Sequence, residues 1–180
     1  MIRLEEERAE DLWEVEALYD LCFAPGREAL SSYRLRDGVA KVPDLCLTAR
    51  DEAGILGAAI RYWPVTIAEP QSAEKGDVDT PRAWHALLLG PVAVHPTRQG
   101  EGLGALLINE SLALARGTGW FRAMLVGDAP YYARFGFTRL AKVEMPPPTN
   151  PERVLGLDLV PGAWSGVRGQ VGRSTLNEFV

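Results

Sequence analysis

The run Gln99-Gly100-Glu101-Gly102-Leu103-Gly104 places glycines at alternate positions just ahead of an apolar, helix-spaced segment. Glycine lets a backbone approach a ligand closely, and the unpaired N–H groups of a first helical turn attract anions. With the apolar run Ala86 to Val94 before it, the segment reads as strand, glycine-rich turn and helix, which is an anion site. Spacing separates the ligand classes that use such a site. A Walker A loop needs Gly-Lys-Ser/Thr after its glycines, and none follows here. A dinucleotide fingerprint is formally present as Gly100-x-Gly102-x-x-Ala105. However, His95 to Gln99 separate it from its strand, and mostly strands remain downstream.

The titratable candidates are few. Tyr131-Tyr132 offers phenols, while His85 and Asp128 are the candidate bases. Each also has a plainer reading: His85 as a satisfied strand-end residue, and Asp128 as the N-cap of a helix opened by Ala129-Pro130. Tyr131 reads as packing. Neither Cys22 nor Cys46 belongs to a CxxC pair, and His85 and His95 are the only histidines, so no metal site is expected.

The elements that must hold these residues follow from periodicity. Ile2 and Leu4 mark a short first strand. Asp11 followed by Glu14 resembles a capping box, and Leu12, Val15, Leu18, Tyr19 and Cys22 set a helix over about 11–23, stopped by Pro25-Gly26. A weaker helix is expected over 27–36. Leu45 to Ala49 and Ile55 to Ile67 form a hairpin about Asp51-Glu52-Ala53-Gly54. The polar stretch 68–82 reads as a mobile loop that covers a site. Ala86 to Val94 lacks alternation and reads as a central strand buried on both faces. Gly90-Pro91 interrupts it: proline cannot donate to a ladder, so a bulge is expected with backbone groups left free. A helix over 102–116 buries Leu103, Leu106, Leu107 and Leu114. Strands are expected over 121–126, 137–143 and 154–160, with a short helix from Asp128 to Phe135. The result is an α/β chain with a mixed sheet.

Composition bounds the function. The 180 residues carry 19 Lys+Arg against 24 Asp+Glu, a net charge of −5, so no broad nucleic-acid footprint is expected. A hydrophobic fraction of 47% with 24% charged residues fits one ordinary globular domain rather than a disordered chain. No apolar run is long enough for a membrane span, and the acidic start Glu5-Glu6-Glu7 is unlike a signal peptide. A cytoplasmic protein with reduced cysteines is expected, and the tail from Trp164 to Val180 is a candidate dimer contact or a disordered end.

Pro96-Thr97-Arg98-Gln99-Gly100-Glu101-Gly102-Leu103-Gly104 resembles the acetyl-CoA signature of the GNAT superfamily of N-acetyltransferases, Gln/Arg-x-x-Gly-x-Gly/Ala, falling here on Gln99, Gly102 and Gly104. Tyr131-Tyr132-Ala133-Arg134-Phe135-Gly136-Phe137 resembles the family's late Tyr-x-x-x-Gly-Phe element, within a run from Gly127 to Phe137 seen in small bacterial members. The likeness covers about residues 1–145, with a C-terminal strand and tail over 146–180, as one domain.

The resemblance implies a strongly bent mixed β-sheet flanked by helices, with acetyl-CoA as co-substrate and no metal. It implies that the pantetheine arm lies along Val92, Ala93 and Val94. The pyrophosphate would then rest on the amides of Gln99, Gly100, Glu101, Gly102, Leu103 and Gly104, with Thr97 or Arg98 reaching phosphate oxygens. The implied reaction is direct acyl transfer to a small-molecule or peptide amine. Val92 N–H would polarise the carbonyl, Tyr132 would protonate the leaving thiolate, and Asp128 or His85 would serve as base. Tyr19, Phe23, Tyr33, Tyr62 and Trp63 would offer aromatic surface to the acceptor. The rivals are a non-catalytic acyl-CoA-binding module of the same fold and a dinucleotide-binding oxidoreductase.

Overall fold

The computed structural model describes residues 1–23, 26–70 and 81–176. Its order is β1 (Arg3–Glu6), α1 (Leu12–Cys22), α2 (Ser31–Arg34), β2 (Leu47–Arg50), β3 (Leu56–Ala68), β4 (Ala83–Val94), α3 (Leu103–Gly117), β5 (Arg122–Val126), α4 (Ala129–Tyr132), β6 (Thr138–Arg139), β7 (Val143–Glu144), β8 (Val154–Asp158) and β9 (Gly169–Arg173). The strands form one mixed sheet in the order β1-β2-β3-β4-β5-β8-β6, with β9 on the far half of β3 and β7 on β9. Pairing is antiparallel except at β4·β5 and β7·β9.

The expected hairpin is β2 and β3, joined by a turn in which the Asp51 carboxylate accepts from the N–H groups of Ala53 and Ile55, and Gly54 takes φ +81°. β4 is buried through its centre, as its unbroken apolar run requires. The interruption at Gly90-Pro91 is a bulge. Ile60 pairs with Val92 and Tyr62 with Leu89, so Gly90 and Pro91 together oppose Arg61 alone.

β5 follows β4 only through Leu87 and Leu88. Beyond that point the two strands part, and β4 from Leu89 to Val94 has no neighbour on its β5 side. Helix α3 packs under the split with Leu103, Leu107, Ile108, Leu112 and Ala115 buried. Leu106 and Leu114, expected on that face, are instead partly exposed. The stripe is centred one residue later, on the side of Ile108 and Leu112.

Other expectations are corrected by tertiary contacts. Asp11 and Glu14 do not form a capping box at α1: Asp11 has helical backbone angles and no capping bond there. Both carboxylates instead hold Arg50 Nη2, at 2.9 and 2.7 Å. The helix expected over 27–36 is two short pieces, a 3-10 turn at Arg27–Ala29 and α2. The strand expected over 137–143 is broken into β6 and β7, which pair with different neighbours. In the tail, Gly169–Arg173 adds a strand to β3. Most of the loop expected over 68–82, Pro25 of the expected stop signal and residues 177–180 lie outside the described residues. Both cysteines are free thiols, Cys46 in the core and Cys22 half-buried.

Candidate active site

The parting of β4 from β5 leaves a cleft whose walls come from α1, α2, β4, α3, β5 and α4. On one side a cavity of about 350 Å³ is lined by Val92, Val94, Gln99, Gly104, Tyr131 and Tyr132, among others. On the other a cavity of about 320 Å³ is lined by Gly90, Val92, Asp128, Tyr132, Arg36 and Tyr33, among others. Phe23, Val92 and Tyr132 face both spaces. A ligand in one cavity and a ligand in the other therefore meet at the Val92 backbone and the Tyr132 ring.

Antiparallel register fixes which backbone groups point into this cleft. His95 N–H donates to Gly57 O at 2.8 Å, so the 57/95 pair bonds inward to β3. Hydrogen-bonded pairs alternate with unbonded ones, and the bridged pairs run Ala58–Val94, Ala59–Ala93 and Ile60–Val92. Ala93 is therefore bonded to β3, whereas the N–H and C=O of Val92 and Val94 face the open side. One of these acceptors is already touched: Cys22 Sγ donates to Val94 O at 3.3 Å. Ala93 lines the cavity without offering it a backbone group.

The glycine turn beyond β4 is shaped for close approach. Gly100 and Gly102 take φ of +85° and +80°, and Gly102 is the residue before the first turn of α3. A Cβ on either would meet no atom within 4 Å, so their role is conformational and leaves the α3 N-terminus uncovered. A Cβ on Gly104 would stand 3.4 Å from Val94 Cγ2 and 3.6 Å from the Tyr131 hydroxyl, so this glycine keeps the passage between α3 and the tyrosines open. Arg98 turns elsewhere. Its Nε donates to Glu101 at 2.9 and 3.0 Å and its Nη1 to Asp51 at 3.2 Å, which braces the turn against the β2–β3 hairpin. Thr97 is tied to His95, its hydroxyl 2.8 Å from Nδ1.

Tyr132 is delivered by α4. Asp128 caps this helix by accepting from Tyr131 N–H at 3.2 Å, as expected, and also lines the second cavity. Desolvation pushes the Tyr132 phenol up to about 12, with Tyr131 and Asp128 adding a little and Arg153 opposing. The hydroxyl therefore keeps its proton throughout the neutral range. Tyr131 stacks edge-on against Tyr132 with centroids 5.0 Å apart, and it faces the first cavity rather than serving only as packing.

Some expected residues are not brought here. His85 lies at the other end of β4, its Nδ1 3.4 Å from Thr66 Oγ1. At about 3.3 Å per strand residue it stands roughly 20 Å from Val92, so it does not reach the cleft. Tyr19 and Tyr62 are fully buried core residues. Phe23 and Tyr33 do face the acceptor-side space, while Trp63 lines an adjoining cleft. Sequence reasoning missed Arg36, Gly127 and Ile108; only Gly127, inside the quoted run, carried any signal.

The bulged strand with its open edge and the glycine turn ahead of the next helix fall in the order that the resemblance implies. The acetyltransferase (GNAT) domain family matches residues 44–139. The chain belongs to this GNAT family. It is 35% identical over 130 residues to the uncharacterized N-acetyltransferase YjhQ of Escherichia coli (strain K12), covering 72% of this chain and 64% of that protein. The chain thus spans under two thirds of that GNAT relative's length. Among solved structures, the GNAT acetyltransferase YhbS of Escherichia coli in complex with CoA superposes with a TM-score of 0.75 at 25% identity, covering 96% of this chain and 89% of that one. A GNAT acetyltransferase from Brucella melitensis in complex with acetyl-CoA gives 0.67 at 28% identity, covering 97% of both. The mixed sheet flanked by helices is the one expected of a GNAT protein. No helix among the described residues is long and apolar enough to cross a membrane. No cluster of metal-ligating side chains occurs among them either.

Proposed function

We propose that the chain transfers an acetyl group from acetyl-CoA directly to the amine of a small molecule or peptide. The observation that carries this reading is the meeting of two cavities at Val92 and Tyr132. The donor-side cavity fits a pantetheine arm, because the open edge of β4 offers the backbone groups of Val92 and Val94. The bare first turn of α3, with Gly100 and Gly102 bent away from it, fits a pyrophosphate. Family membership and the CoA and acetyl-CoA complexes of the two structural relatives support the same co-substrate.

Acetyl-CoA supplies a thioester whose carbonyl carbon accepts an amine. The chain's own residues then have three tasks. Val92 N–H, facing the cleft, donates a hydrogen bond to the carbonyl oxygen as negative charge develops there. The Tyr132 hydroxyl holds a proton at Oη for the departing sulfur, and its raised pKa keeps that proton in place until the thiolate forms. Asp128, at the mouth of the acceptor-side cavity, attracts the ammonium form of the acceptor and takes up its proton through water. His85 has no part in this.

Thermal stability of the purified protein with acetyl-CoA, CoA, NAD and NADP in parallel tests the assignment. Ligand at about 100 times its Kd adds about 2.7 kcal/mol, and the expected result is a melting-temperature rise with the two CoA compounds alone. A rise with NAD or NADP instead would restore the oxidoreductase reading. Thiol release from acetyl-CoA in the presence of an amine separates the enzyme from a binding module of the same fold.

A further inference from the structure

The acceptor side of the cleft holds a cation, Arg36, that has no carboxylate partner among the described residues. Arg36 follows α2, and its guanidinium stacks on Tyr33, with Cζ 4.0 Å from the ring centroid, and lies 5.8 Å from the Trp63 ring. Its Nη2 comes within 4.0 Å of where a Cβ on Gly90 would stand, so it sits beside the bulge. Among the described residues, two buried side-chain polar atoms lack a hydrogen-bond partner. They are Arg36 Nε and Trp63 Nε1, both donors, on neighbouring side chains. An unpaired buried donor costs stability, more so when it is charged, and its retention calls for a reason.

The other half-buried or buried arginines among the described residues are all engaged. Arg61 holds Glu7 and Glu16, Arg27 holds Glu16 and Asp20, and Arg50 holds Asp11 and Glu14. Arg98 holds Glu101 and Asp51, and Arg122 bonds to the carbonyls of Ala163 and His85. Of the acids that share a cavity with Arg36, none pairs with it: Glu16 is taken as above, Asp37 pairs with Arg173, Asp128 caps α4 through Tyr131 N–H, and Glu28 is exposed. Desolvation lowers the Arg36 pKa, as expected for a cation withdrawn from water without a carboxylate beside it.

We propose that Arg36 binds a carboxylate carried by the acceptor, which makes the substrate a small amino-acid-like amine. This rests on reading the cleft as the acyl-transfer site. Arg36 and Tyr132 line the same cavity of about 320 Å³, at the small end of ligand pockets, so one compact molecule reaches both. The planar fork of the guanidinium takes a carboxylate through two parallel hydrogen bonds, and stacking on Tyr33 fixes its plane beforehand. The amino group of such a molecule then lies toward Val92 and Tyr132, with Asp128 across the same space to attract it.

Calorimetry with a panel of α-amino acids and their carboxamides, without cofactor and again with CoA, tests this on the wild type, Arg36→Met and Arg36→Lys. The wild type is expected to bind at least one acid about 10- to 100-fold more tightly than its carboxamide, the range of one charged hydrogen-bonded pair. Arg36→Met should erase that preference and Arg36→Lys should retain part of it. The melting-temperature rise with CoA should be equal in all three proteins, which shows that they are folded. Equal binding of acids and carboxamides, no binding of any acid, or a preference that survives in Arg36→Met would overturn the proposal. Acid preference without thiol release from acetyl-CoA would sink the acyl-transfer reading and leave Arg36 as a carboxylate site. Thiol release with no acid preference would do the reverse.

Discussion

The hydroxyl of Tyr19, fully buried on α1, donates to the carbonyl of Pro91 at 3.2 Å. This bond ties the helix to the bulge immediately before Val92. Arg61, the residue opposite the bulge, lies over the same ring with Cζ 5.2 Å from its centroid, and its guanidinium is held by Glu7 and Glu16. The interrupted strand is thus braced by side chains remote in sequence.

Tyr19→Phe removes one hydrogen bond and leaves Pro91 O buried without that donor. A stability loss of about 1–2 kcal/mol is expected in denaturant melts. Because Pro91 O belongs to the residue before Val92, loosening it should disturb Val92 N–H, and kcat should fall as well. Wild-type kcat in a destabilised Tyr19→Phe protein would show that the bulge holds without this tie.

Tyr132→Phe should lower kcat by about 100-fold or more, the lower range for general acid catalysis, while the melting-temperature rise with CoA persists. The phenol pKa is raised to about 12, so its protonated form survives well above the ordinary value of 10.0. The stability linked to this shift is complete below pH 10 and is lost only as pH rises through about 12. A pH profile of kcat/KM should therefore climb as the amine loses its proton and show no descending limb up to pH 10.5. A descending limb in that window would mean a different group is the acid.

Gly127→Ala should damage activity more than its size implies. A Cβ there would lie 2.6 Å from Tyr132 Cε2 and 2.9 Å from Leu125 Cδ1, so the ring must shift. An overpacking cost of about 1–3 kcal/mol is expected, with kcat falling toward that of Tyr132→Phe. Unchanged turnover would show that the ring's placement is not critical.

Glu7 carries the acid sensitivity of the fold. Its side chain is sealed from solvent and accepts from Arg61 Nε and Nη2 at 2.9 and 2.6 Å, with Lys41 Nζ at 2.9 Å. Burial pushes its pKa up, but the bonds from Arg61 and Lys41 outweigh this and hold it below the usual 4.5. The linked stability is present above pH 4.5 and disappears as pH falls through the lowered value. Glu7→Gln should cost about 3–5 kcal/mol at pH 7, because Arg61 keeps its charge without that carboxylate. The variant should also lose less stability than the wild type on acidification, as followed by melts between pH 7 and 3.

What the sequence determined is local. Gly90-Pro91 in an apolar run meant a bulge, because proline has no N–H to give the ladder, and Asp128 before Ala129-Pro130 meant a cap. Alternating glycines before a helical stripe meant a turn that leaves a helix N-terminus bare. Residues that read differently in space are those whose partners come from elsewhere in the chain. Asp11 and Glu14 have the spacing of a capping box, yet both carboxylates turn to Arg50 on β2, a partner remote in sequence. His85 and Val92 share one strand, but the direction in which β5 leaves β4 decided that only the Val92 end opens into a cleft. Arg36 comes from a weakly patterned segment and gave no local signal. Only the tertiary fold set it against Tyr33 and Trp63 and beside the bulge, facing the acceptor space with an unpaired donor, because a charge becomes informative once the fold has removed its water without placing a carboxylate beside it.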